Sequence, residues 1–172
     1  MSFDHDHQVG PRLAAALVNA GSRADFASIL VDHDIRRPAL TGADEAKLET
    51  WVRRLRPVFV SEGIEDRCSA VNALLSDVAG ALFLTTHNDT PPHLHLVPDE
   101  RDVVTRVQSV TAGGLAFFVA WSGGRRLGSC DRTRCGRAYI DLSKGGRQRY
   151  CSARCGNTDA VARHRAANVS TR

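Results

Sequence analysis

Apolar residues recur at helical spacing along the chain as far as Trp121. The clearest stripe is Leu48, Trp51, Val52, Leu55, Val58 and Phe59, which keeps the i, i+3, i+4, i+7 intervals of one buried helix face. Asp44 and Glu45 fall in its first turn, where the helix dipole favours acids, and Pro57 is expected to kink or end it. Cys68, Val71, Leu74, Leu75, Val78 and Leu82 repeat the pattern in a following helix, which makes Cys68 a core filler rather than a nucleophile. Upstream, Pro11 to Ala20 opens with a proline suited to a first turn and sets Leu13 and Leu17 on one face. Ser22 is placed to cap a second segment carrying Phe26, Ile29 and Leu30. A last helix is expected from near Asp99 through Val103, Val107 and Val110 toward Phe117 and Trp121, with Gly113-Gly114 weakening its middle. Between these helices, Ala81 to Thr86 and His93 to Val97 read as two short strands around the turn residues Asn-Asp-Thr-Pro-Pro.

The pattern changes after Gly123-Gly124. Four of the five cysteines now appear as Cys130-x4-Cys135 and Cys151-x3-Cys155, separated by fifteen residues. Two short-loop pairs across such an insert have the arrangement of a structural zinc site, in which four thiolates complete the tetrahedron and leave no open position. Disulfides fit less well, because one cysteine would be left over and the chain shows no signal peptide. Within the insert, Arg137 to Leu142 alternates polar and apolar, Ser143-Lys144-Gly145-Gly146 is turn chemistry, and Arg147 to Cys151 leads back to the metal, which predicts a β-hairpin between those two segments. Ser152 is a candidate cap for a final helix rich in alanine and arginine, with Cys155 near its first turn. The expected fold is therefore mainly α. A multihelical N-terminal domain with a short β-hairpin, residues 1–124, precedes a small treble-clef-like zinc finger of hairpin plus C-terminal helix, residues 125–172.

Charge sharpens this division. Residues 125–172 hold twelve Lys and Arg against Asp131, Asp141 and Asp159, a net +9, and the other residues hold 11 basic and 16 acidic side chains, a net −5, within the overall +4. A small finger so basic has the electrostatic footprint of a phosphate-binding surface. Arg132, Arg134 and Arg137 border the first knuckle, Lys144 lies in the turn, Arg147 and Arg149 would share one face of a return strand, and Arg154, Arg163 and Arg165 lie on the last helix. These nine are the candidate DNA contacts. No apolar run approaches the roughly 20 residues needed to cross a bilayer. No membrane association is expected, and a cytoplasmic setting is the default, where reduced thiols suit zinc.

A second place for chemistry is the stretch holding His87, His93 and His95. On a strand His93 and His95 would share a face, with His87 on the adjoining loop, a composition that suits a metal or small-molecule effector site. Histidines on a half-buried strand are more often hydrogen-bonded structural residues. The chain has no H-E-x-x-H set, Gly-rich phosphate loop or nucleophile motif, so no enzymatic activity is expected.

The run from Arg125 to about Arg165, with RRLGSC, AYIDLS and above all CSARCGN at Cys151 to Asn157, resembles the CGNR zinc finger. In that family the finger usually follows a helical ABATE domain, and the proteins are described as stress-induced transcription regulators. LAAALVNA, Leu48-x2-Trp51-Val52 and PHLHLVPD at Pro92 to Asp99 are similar to pieces of that domain. The departures are Thr158, where the family has arginine, Asp159 beside it, and Ala16 and Ala20 flanking LVN, where an acidic residue and a threonine are commoner. The resemblance implies a zinc-dependent transcription regulator that binds double-stranded DNA, its helical domain sensing an effector or forming a homodimer. Two other readings remain open: the same zinc module binding an acidic protein or RNA, and a metal-dependent enzyme using His87, His93 and His95.

Overall fold

The computed structural model describes residues 6–21, 25–35, 38–78, 83–85, 93–95 and 102–170. Four helices come first: α1 (Asp6–Asn19), α2 (Phe26–Asp32), α3 (Gly42–Val60) and α4 (Ile64–Asp77). A strand pair, β1 (Phe83–Thr85) and β2 (His93–His95), leads to α5 (Val103–Ser122). Strands β3 (Leu127–Ser129) and β4 (Ala138–Ile140) and helix α6 (Ala153–Ser170) complete the chain. Both pairs are antiparallel, with Leu84 opposite Leu94 in the first and Gly128 opposite Tyr139 in the second. The protein is mostly helical and ends in a cysteine-bearing finger, as the sequence predicts.

Local chemistry sets the helix ends. The Thr41 hydroxyl accepts from the Asp44 amide at 3.3 Å while the Asp44 carboxylate accepts from the Thr41 amide at 3.0 Å, a reciprocal capping box at the start of α3. Asp25 caps α2 through the Ser28 amide, and Asp102 caps α5 through the Thr105 amide, each at 3.0 Å. The expected cap Ser22 lies outside the described residues. Helix α5 ends at Gly123, whose φ of 60° is the left-handed conformation that glycine adopts without a Cβ clash.

Helix α5 packs on α1, α4 and α3, and α3 packs on α1 and α4. Leu13, Leu17, Leu48, Trp51, Leu55, Phe59, Leu74, Val107, Leu115 and Phe118 are all at most 1% exposed between them. Burying each such side chain is worth roughly 1.5–3 kcal/mol before chain entropy is subtracted. The one indole nitrogen in this core is satisfied: Trp51 Nε1 donates to Thr111 Oγ1 at 2.9 Å, and that hydroxyl donates to the Val107 carbonyl at 2.7 Å. By length and composition α5 is apolar enough to cross a bilayer, contrary to the expectation that no run approaches this. Half of it is buried within the protein, which is how the core helix of a globular fold looks.

Several sequence expectations change at this level. Pro11 is not in a first turn: α1 begins five residues earlier, and the proline leaves one carbonyl of the preceding turn without its intrahelical partner. Gly114 does not interrupt α5. A Cβ on Gly114 would stand 2.7 Å from Gly10 Cα, and one on Gly10 would stand 2.3 Å from the Val110 carbonyl oxygen, so the two glycines let α1 and α5 cross backbone to backbone. Pro57 does not end α3, which continues three residues further to Val60. Cys68 is exposed rather than in the core. The buried face of α4 is Arg67, Val71 and Leu74, continued by Val78 just past its end, because an arginine with backbone acceptors in reach takes the position that the cysteine was expected to fill.

The strand pairing in the finger also differs from the expected one. β4 pairs with β3, which precedes Cys130, and not with the segment from Arg147 to Cys151. That segment is held by one backbone bond, from the Asp131 amide to the Arg149 carbonyl at 2.9 Å, and by side chains. The buried Asp141 carboxylate accepts from the Ser143 amide, the Ser143 hydroxyl and the Gln148 amide at 2.9, 2.5 and 2.8 Å, and the Tyr139 hydroxyl donates to the Gln148 carbonyl at 2.6 Å. These contacts take the groups that a second ladder would have used. The β3–β4 hairpin packs on α1 and α3, and Leu127 and Ala138, each 4% exposed, share the helical core.

Candidate metal centre

Each cysteine arrives from a separately fixed piece of backbone. Cys130 follows β3, and its amide donates to the Arg137 carbonyl at 2.8 Å, extending the β3–β4 pairing by one bond. The knuckle then turns through Arg134 and Gly136, at φ 66° and 58°, and the Cys135 amide donates to the Arg132 carbonyl at 2.9 Å. Cys151 ends the loop organised by Asp141. Cys155 lies in the first turn of α6, where its amide donates to the Ser152 hydroxyl at 3.2 Å, the cap that the sequence predicts.

The four sulfurs converge. All lie within 4.8 Å of one another, and Cys135, Cys151 and Cys155 form a triangle of 3.6, 3.7 and 3.8 Å. Four sulfurs at the Zn–S distance of about 2.3 Å around a tetrahedron are separated by about 3.8 Å, so the triangle is one face of a zinc-thiolate tetrahedron. A disulfide would need a sulfur separation of about 2.05 Å, and all five cysteines are unbridged. The thiols also differ in acidity. The Ser152 side chain helps bring Cys155 down to about 7, whereas burial and the neighbouring thiols push Cys151 up to about 12. Sulfurs this close cannot all ionise unless a cation sits among them. The cluster fits one structural zinc, with no protein position left open for a substrate or water.

Residues 126–167 match the CGNR zinc finger family. The match covers the hairpin, all four sulfurs and most of α6. No curated protein matches the chain.

The residues of the CGNR motif itself have visible local roles. Gly156 lies under the Tyr150 ring, where a Cβ would stand 3.2 Å from Cδ2. The Tyr150 hydroxyl donates to Asp159 at 2.7 Å, and Asp159 also accepts from Arg163 Nε at 2.9 Å. Thr158, in the place of the family's arginine, turns its hydroxyl back to the Arg154 carbonyl at 2.8 Å. Asp159 thus joins the loop to the helix and is neutralised where it stands.

The nine basic candidates separate into two groups. Arg149 is paired with Asp131 at 2.7 Å and Arg163 with Asp159. For Arg132, Arg134, Arg137, Lys144, Arg147, Arg154 and Arg165, no acidic group stands within 4.0 Å among the described residues. Arg147 and Arg149 flank a groove against the first turn of α6, but on a loop and not on the return strand expected of them. His87 lies outside the described residues. His93 and His95 lie on β2 opposite Thr85 and Phe83.

Sequence reading missed Asp141, Tyr139, Arg67 and Asp159 as organisers. For Asp141 a signal was present, since Asp-x-Ser is an Asx-turn pattern. For Arg67 there was none, because its acceptors are backbone carbonyls from other segments.

Proposed function

We propose that this protein is a zinc-dependent DNA-binding regulator in which α6 enters the major groove. The observation that carries the reading is the state of that helix. Every side chain from Ala160 to Asn168 is exposed, and among the described residues α6 has no substantial packing against another helix or strand. Helices in proteins draw most of their stability from a packed face, and this 18-residue helix has none beyond its first turns. Here it is anchored at one end only, by Cys155, the Ser152 cap and the Tyr150–Asp159 bond. At about 100° per residue, Arg154, Asn157, Thr158, Val161, Arg165 and Asn168 fall on one side, and Cys155, Asp159 and Arg163 on the other. The outward side therefore carries arginines suited to guanine edges, asparagines suited to adenine and a valine suited to a thymine methyl. Arg132, Arg134, Arg137, Lys144 and Arg147 would add phosphate contacts that position without reading sequence.

The helical region would serve as the sensing or dimerising part, as its resemblance to ABATE domains implies, with a homodimer presenting two fingers to two half-sites. An acidic protein or RNA is the competing partner, and the negative charge of Asp159 beside Thr158 would speak for it. That charge is spent on Tyr150 and Arg163, on the side away from the outward face, which favours DNA.

The test is binding of the zinc-loaded protein to random-sequence duplex DNA across a salt series. A regulator of this kind gives a log–log salt slope of about −0.9 for each phosphate neutralised. Failure to bind duplex, with retained binding to RNA or to an acidic peptide, would move the finger to the interaction class.

A further inference from the structure

Away from the metal centre, a cleft of about 540 Å³ opens where the α3–α4 turn meets the β3–β4 hairpin. Pockets that hold small molecules commonly enclose about 300–1,000 Å³. One wall is apolar: Phe59, Val60, Ile64 and Leu127, with Val60 and Ile64 still 47% and 46% exposed. Arg67 lines the interior and is only 6% exposed. Its Nε donates to the Val58 carbonyl at 2.9 Å, and its two terminal nitrogens donate to the carbonyls of Gly124 and Ser61. A guanidinium has five N–H donors, so two remain.

The charge is the sharper point. All three acceptors are neutral, and among the described residues no carboxylate is within 4.0 Å of Arg67. A buried cation without a counter-charge is unfavourable, and a site that holds one is suited to receiving an anion from solvent. Arg125 adds a second, exposed cation to the lining. Two acids also line the cleft: Asp131 is engaged by Arg149 at 2.7 Å, and Glu62 is exposed to solvent.

We propose that this cleft binds a small organic anion, a carboxylate or phosphate monoester with an apolar body. The charged group faces Arg67 and Arg125, and the apolar body lies on Val60, Ile64 and Leu127. Anion binding in the cleft does not depend on the DNA reading. Its walls come from both the α3–α4 turn and the finger hairpin, and Arg67 grips Gly124 in the joint between α5 and β3. An occupied cleft therefore tightens the junction that carries the finger.

The experiment is amide NMR of the zinc-loaded full chain titrated with benzoate, with phenyl phosphate and with neutral benzamide at constant ionic strength. The expected result is saturable millimolar binding of at least one anion, with shifts centred on Gly124, Gly128 and Ser129 and none from benzamide; the anion that binds more tightly identifies the headgroup class. Arg125→Gln should weaken binding about tenfold, and Val60→Glu, which sets a like charge on an exposed wall position, should abolish it. The proposal is overturned if neither anion saturates, if benzamide binds equally, if shifts are confined to residues 132–165, or if both variants bind as the parent does. DNA binding is measured separately, so either reading can fail alone.

Discussion

Asn19, the last residue of α1, pairs with both backbone groups of Ala138 in β4. Its Nδ2 donates to the Ala138 carbonyl at 2.8 Å, and the Ala138 amide donates to its Oδ1 at 2.8 Å. The carboxamide thus behaves like one residue of a third strand beside β3 and β4, and ties the finger hairpin to the first helix across 119 positions of sequence. Asn19→Ala leaves both groups of Ala138 short of partners in a partly buried place, and Asn19→Asp replaces the donor with an acceptor facing a carbonyl. Each change should cost on the order of 1–3 kcal/mol in denaturant unfolding. A loss below about 0.5 kcal/mol would mean that water replaces the amide.

Removing the metal should unfold the finger. With chelator, or in Cys151→Ser, the anchor of α6 is lost, and a helix without a packed face cannot persist alone. The expected outcome is loss of bound zinc together with a drop in far-UV helical signal and rapid proteolysis after the knuckle. Retention of zinc stoichiometry in Cys151→Ser would refute the four-sulfur site.

The outward face of α6 can be separated from its inner side. Arg154→Ala with Arg165→Ala should weaken duplex binding by about 1–3 kcal/mol per lost base contact, or flatten the salt slope by about one unit for each lost phosphate contact. Arg163→Ala, which removes the partner of Asp159, should leave affinity nearly unchanged. Thr158→Arg, which restores the family residue on the outward face, should raise it. Equal losses from Arg163→Ala and from the outward pair would remove the basis for assigning a reading face.

Asp141 makes the finger acid-sensitive. Burial pushes its carboxyl upward, but hydrogen bonds from Ser143 and Gln148 outweigh that and hold it below the ordinary value of 3.8. A depressed folded value means that its contribution is fully present above the unfolded value and is lost as pH falls through the folded one. Asp141→Asn sets an amide donor toward either Ser143 or Gln148. It should cost about 1–3 kcal/mol at neutral pH and flatten the part of the acid-unfolding profile that lies below about pH 4. An unchanged profile would assign that titration to other carboxylates.

Gly114 tests the helix crossing. Gly114→Ala introduces a methyl group 2.7 Å from Gly10 Cα, a contact that only movement of α1 can relieve, so it should destabilise by several kcal/mol despite alanine's better helix propensity. Gly42→Ala, with open space around its Cβ, serves as the control and should be neutral or slightly stabilising. A neutral Gly114→Ala would mean that the two backbones are not in contact.

Periodicity and cysteine spacing alone established the mainly helical fold, the stripe of α3, the two short strands and the four-sulfur set with its Ser152 cap. Those features depend on residues a few positions apart, or on a ligand set whose chemistry allows few alternatives. What the tertiary structure decided involves groups distant in sequence. The partner of β4 is β3, and Asp141 and Tyr139 satisfy the backbone groups of Gln148 in the loop that was expected to pair with it. Arg67 rather than Cys68 is buried, because carbonyls from Val58, Ser61 and Gly124 converge on it. The glycine of α5 strengthens its packing, because another glycine crosses it from α1. The partners in these cases lie far apart in sequence, and two of them are backbone carbonyls or a missing side chain, so a pattern of polar and apolar letters does not pair them.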